Sequence, residues 1–138
     1  MMVRFRTQAA QVRKLAIGFL LLQGAGTLAW WALLLLYQPA RMPFLAPGAP
    51  DSTLMVFIVP DLAIFISSAL VAAYGLAKNR DWAWIALCVQ TGAAVYAALY
   101  ALALPFFSGG AWLGAAMMFP SLVLLPLFSW ILRPESLR

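Results

Sequence analysis

Four apolar stretches, at about 15–37, 54–77, 82–104 and 111–132, constrain this chain more than any other feature. Each meets or exceeds the ~20 residues a helix needs to cross a hydrocarbon core at ~1.5 Å per residue. Composition points the same way, since 65% hydrophobic and 9% charged residues leave too few polar groups to cover a soluble globule. The expected architecture is all-α: an integral membrane four-helix bundle forming a single membrane domain over 1–138. The connections run to about sixteen, four and six residues, so none can bury a core of its own.

The basic residues orient the spans. Arg4, Arg6, Arg13 and Lys14 precede the first, Lys78 and Arg80 lie between the second and third, and Arg133 and Arg138 follow the fourth; only Arg41 is on the other side. Positive charge in short loops stays cytoplasmic, which predicts both termini in the cytoplasm of a multi-pass cell-membrane protein and the loops at 38–53 and 105–110 outside. The formal charge of +5 is then mainly a topology signal. Nucleic acid is an unexpected partner, because no basic surface interleaved with aromatic or polar readers is present. Membrane lipid is an expected one, through attraction of the basic N-terminal segment to anionic headgroups. The first span is longer than the ~7–15 residues of a signal-peptide core and ends in Trp30, Trp31 and Tyr37, so it is read as a retained helix.

Absent residue types narrow the chemistry. There is no histidine, which removes His-ligated haem, His-containing zinc sites, imidazole relays and the Ser-His and Cys-His nucleophile systems. Cys88 is alone inside the third span, so neither an intramolecular disulfide nor a dithiol pair is available. Met117 and Met118 read as packing filler, since a thioether pair without Cys or His is a poor copper pocket. No cofactor and no metal are expected.

Proline marks where helices end or bend. Pro39, Pro43, Pro47 and Pro50 predict a first outer loop without regular structure, with Asp51, Ser52 and Thr53 as caps for the second helix. Pro60 predicts a kink in the second span, or a true helix start at that residue, and Pro120 and Pro126 predict a bent fourth helix. Small-xxx-small pairs such as Ser68/Ala72, Ala69/Ala73, Ala94/Ala98 and Gly110/Gly114 predict close helix packing, with Gly24 and Gly26 on different faces of the first span.

Asp61 is the ionisable carboxylate inside the apolar runs, ~10 Å below the outer end of its helix on ideal spacing. The same spacing puts Tyr100 at ~6 Å, Tyr96 at ~12 Å and Thr27 at ~14 Å, so the two tyrosines, on one helix face, are candidate donors to the carboxylate. A deeper layer holds Gln23, Ser67, Ser68, Gln90 and Thr91 at ~18–21 Å. These groups read either as hydrogen-bonding glue between helices or, joined to the Asp61 layer, as a polar path into the membrane. Trp30, Trp31 and Trp112 form a candidate outer aromatic rim, alongside the interfacial tryptophans Trp82, Trp84 and Trp130.

Three functions fit. The leading expectation is a small non-enzymatic membrane protein acting by association, as accessory subunit of a membrane protein complex or as a homo-oligomer binding lipid or another hydrophobic ligand. The second is a transporter or flippase with Asp61 as its proton or cation site. The third is an enzyme on a lipid or isoprenoid, with Asp61 as acid/base and Tyr96 or Tyr100 polarising the substrate.

Overall fold

A computed structural model describes residues 2–134, with side chains from Ala9 onward. The side chains of Arg4 and Arg6 and the whole of Arg138 lie outside the described residues. Helix α1 spans Met2–Leu36, α2 Ser52–Ala77, α3 Ala83–Ser108 and α4 Trp112–Ile131, and all four are long and apolar enough to cross a membrane. No strand occurs among the described residues.

Sequential helices are neighbours, α1 on α2, α2 on α3 and α3 on α4. The bundle closes where α4 returns to α1, through an edge-on Phe19–Phe128 contact at 6.1 Å. Alanines carry much of the packing. Ala69, Ala72 and Ala73 of α2 and Ala94 and Ala98 of α3 are buried, as the small-residue spacing predicts. Gly24 eases the α1–α2 approach, since a Cβ there would lie 3.0 Å from Leu70 Cδ2 and that side chain would have to give; at Gly26 the same atom would meet nothing within 4 Å. The outside of the bundle is as apolar as its inside, with Leu22 72%, Leu36 88% and Phe107 91% exposed. Such a surface would be penalised by water over its whole length, and four candidate spans with that surface suggest a multi-pass membrane protein.

The 38–53 segment departs from the expectation of irregular structure. Tyr37 is extended, and a 3-10 helix follows over Gln38–Phe44 with proline at its start. Proline suits that position because the first amides of a helix have no internal acceptor. The segment then folds over the α3–α4 turn, where Pro47 Cδ would stand 2.6 Å from a Cβ on Gly110. Asp51 does not cap α2 through its side chain, which turns to Arg41 instead.

Pro60 acts within α2 rather than starting it. The helix begins at Ser52, loosens into a turn at Val56 and Phe57, is α-helical over Ile58–Pro60, and widens to a π-helix over Asp61–Ile66 before resuming as α-helix from Ser67. Proline lacks the amide that would bond four residues back, and the wider turn takes up the resulting register error. In α3 and α4 proline does not end the helix. α4 runs continuously through Pro120 and Pro126, and α3 continues through buried Pro105 to Ser108, so the predicted 105–110 loop shrinks. Gly109, at φ 74°, ends α3 in the left-handed region, with its N–H bonded to Pro105 O at 2.8 Å.

The opposite turn, between α2 and α3, is a two-bond helix cap. Asn79 takes φ 51°, its N–H bonds Leu76 O at 3.3 Å and the Arg80 N–H bonds Gly75 O at 2.9 Å. Asparagine is among the few non-glycine residues that tolerate this conformation. Its side-chain Oδ1 also accepts from Arg13, tying α1 to the turn. The close approach at Gly75, where a Cβ would fall 2.6 Å from Trp82 Cζ3 and 3.0 Å from Ala83 Cβ, lets the α3 start press against α2.

Candidate functional site

One polar residue from each helix meets in the bundle interior. Gln90 Nε2 of α3 donates to Gln23 Oε1 of α1 at 2.9 Å, Gln23 Nε2 donates to Ser121 Oγ of α4 at 2.7 Å, and Ser68 Oγ of α2 lies 2.6 Å from Gln90 Oε1. Gln90 is wholly buried, and Gln23 and Ser121 nearly so. An unpaired amide at such a site would carry a desolvation cost of ~1–3 kcal/mol, so the residues hold one another in place.

The hydrogen-bond chain can also run in the opposite sense. The single Ser68 hydroxyl proton faces two acceptors, Gln90 Oε1 and, at 2.5 Å, Ile64 O. With both amides turned, Ser121 donates to Gln23, Gln23 to Gln90, Gln90 to Ser68 Oγ, and Ser68 to Ile64 O. Each proton is then used once on the same heavy-atom positions, since amide oxygen and nitrogen exchange roles on turning.

The remaining members of the deeper layer behave differently. Ser67 Oγ returns to its own helix, 2.6 Å from Ala63 O, on an exposed face. Thr91 Oγ1 lies 2.6 Å from Ser129 Oγ, and Trp84 Nε1 donates to Ser129 O at 2.9 Å, so this group forms a separate α3–α4 joint. Thr27, partly buried, makes no side-chain hydrogen bond among the described residues.

Nearer the loop end, Asp61 accepts from Trp31 Nε1 at 2.9 Å. The tyrosines of its expected layer do not donate to it: Tyr96 is 72% exposed, and Tyr100 tilts on Phe57 at 5.0 Å. Asp61 opens the π-helical turn, so the proline that shifts the backbone register also sets the carboxylate facing α1. Trp30, Trp31 and Trp112 are not one rim. Trp31 is 2% exposed, Trp30 packs edge-on between Trp31 at 4.8 Å and Phe44 at 5.1 Å, and exposed Trp112 lies against Phe106 at 5.5 Å. The Trp30 Nε1 is buried without a hydrogen-bond partner among the described residues.

Arg41, the one cation at the loop end among the described residues, is buried. Its Nε donates to Leu34 O at 2.8 Å and Nη1 to Asp51 Oδ2 at 2.7 Å. The guanidinium thus occupies a free carbonyl in the last turn of α1, where the helix dipole favours positive charge, and pins the start of α2 beside it. No grouping of three or more His, Cys, Asp or Glu able to hold a metal occurs among the described residues.

Arg41, Ser121 and Ser129 carry bonds that the sequence reading assigned to none of them. The isolation of Arg41 from every other basic residue was a signal for the first. Ser121 is one of two hydroxyls in the fourth apolar run, but ideal spacing does not say how deep α4 begins, so residue number alone does not pair it with Gln23. Comparison with known proteins returns no match among family models, curated proteins or solved structures.

Proposed function

We propose that this chain is a small multi-pass cell-membrane protein, with cytoplasmic termini, that acts by association as a rigid helical subunit. The observation that carries the reading is the Ser121–Gln23–Gln90–Ser68 chain, which commits one polar group from every helix to holding the bundle together. The apolar outer faces remain available to neighbouring helices or lipid. α1 offers Gly18, Ala25, Gly26, Ala29 and Ala32 on its exposed side, small enough for close backbone approach by another helix. The cytoplasmic assignment of the termini follows from the basic residues at that end and from Arg41, whose charge is neutralised locally by Asp51.

Native mass spectrometry of the protein extracted gently from its own membrane tests the reading. A stoichiometric second protein, or a defined homo-oligomer, is the expected result, and a persistently lone chain sinks it.

A carrier reading has one specific observation in its favour: Asp61 sits at the junction of a proline and a π-turn, where α2 has two local geometries within a few residues. In that case Asp61→Asn, which still offers Trp31 an acceptor, abolishes proton- or cation-coupled uptake in vesicles while the protein stays folded. Unchanged uptake removes Asp61 from any transport role.

A further inference from the structure

The termini end of the bundle contains an open cavity of about 680 Å³ between the start of α1, the α2–α3 turn and the end of α4. Arg13, Arg80 and Asp81 are its charged walls, around an apolar floor that includes Leu76, Trp84 and Leu132. Its volume lies within the ~300–1,000 Å³ usual for small-molecule sites. Trp84 also borders a second hollow of about 310 Å³ that runs along α4 past Pro126 and Trp130 to Arg133.

We propose that this cavity seats the phosphate of an anionic phospholipid, with Arg80 and Arg13 as its cationic contacts and the hollow along α4 receiving the start of an acyl chain. The assignment rests on the membrane reading above, which places these residues at headgroup level.

The two arginines are held differently, and both arrangements suit the task. Arg13 is already oriented by its bond to Asn79. Arg80 has its backbone fixed by the bond to Gly75 O, while its guanidinium has no hydrogen bond or ion pair among the described residues and retains its full fork of donors. Within the cavity Asp81 leaves two positive charges against one negative; the third arginine nearby, Arg133, borders the adjoining hollow with its guanidinium over the Trp130 ring at 4.4 Å. That balance matches the single charge of a phosphodiester better than the higher charge of free phosphate. An indole between the headgroup and apolar levels is the usual arrangement at a membrane interface.

The test titrates the full chain, in detergent, with phosphatidylglycerol and phosphatidylcholine of matched acyl chains, and counts retained lipid by native mass spectrometry. One phosphatidylglycerol per chain is expected, preferred about tenfold or more. Arg80→Gln should weaken it about tenfold, equivalent to ~1.4 kcal/mol. Arg80→Lys should fall between, keeping the charge without the fork. Lys78→Gln, a cation at the same end that does not line the cavity, should leave retention unchanged. Equal loss from Lys78→Gln and Arg80→Gln would show only a diffuse field and overturn the site, as would equal retention of both lipids. Binding of inorganic phosphate at millimolar concentration without lipid preference would assign the seat to a soluble phosphate compound and overturn the lipid assignment. Protease protection of a C-terminal tag in vesicles reads orientation independently. An inverted chain that keeps its lipid preference overturns the topology and leaves the phosphate seat standing.

Discussion

Replacing Gln90 by methionine keeps nearly the same side-chain length and removes both of its hydrogen bonds, to Gln23 at 2.9 Å and with Ser68 at 2.6 Å. Interhelical side-chain bonds in membranes contribute ~0.6 kcal/mol on average and up to ~1.7, so the pair accounts for ~1–3 kcal/mol. Gln23 is then left with one end of its amide buried and unpaired, in either sense of the chain, which adds a desolvation cost of ~1–3 kcal/mol. Ser68 adds little, because its hydroxyl keeps Ile64 O at 2.5 Å. Gln90→Met should therefore destabilise by ~2–6 kcal/mol. Gln23→Met should cost a comparable amount, leaving Ser121 without a side-chain partner. The double variant removes both amides and leaves neither orphaned, so its loss should fall short of the sum of the singles by ~1 kcal/mol or more. Equilibrium unfolding in mixed micelles with increasing denaturing detergent measures all three. Additivity within ~0.3 kcal/mol would refute the claim that the two amides form one connected chain.

Other perturbations separate the joints of the fold. Arg41→Gln should cost ~1–3 kcal/mol and expose the 38–53 segment to limited proteolysis, because it frees Leu34 O and the Asp51 carboxylate together. Asp51→Asn should cost under ~1 kcal/mol, since that side chain is half exposed; equal sensitivity of the two would show that the ion pair alone matters. Gly75→Ala should lower thermal stability in detergent by forcing Trp82 and Ala83 aside, whereas Gly26→Ala, with open space around it, should be neutral or raise stability by up to ~1 kcal/mol. At Asn79, alanine should cost ~1–2 kcal/mol through the left-handed backbone, and glycine should recover most of that; a glycine variant as weak as alanine would transfer the effect to the lost Arg13 bond.

Elements that depend on one-dimensional quantities were legible in residue order alone. Length and hydropathy located four apolar helices, the basic residues supplied an orientation to test, and small residues at intervals of four marked the packed faces of α2 and α3. Gln23, Ser68 and Gln90 were also recognisable as one layer, because equal depth along ideal helices follows from residue number alone. Which depths are shared and which faces meet was settled only by the packing of the helices. Ser121 joined that layer because of where α4 begins, and Ser67 left it because its hydroxyl turns back on its own helix. Asp61 went to Trp31 on a neighbouring helix rather than to the tyrosines at matching depth. The π-turn after Pro60 rotates the carboxylate relative to a straight helix, and the sequence records the proline but not the register by which the backbone absorbs it. Arg41 shows the same division: residue order places one cation at the loop end, and only folding brings Leu34 O and Asp51 to either side of it, converting an exception in the charge pattern into a buried clamp.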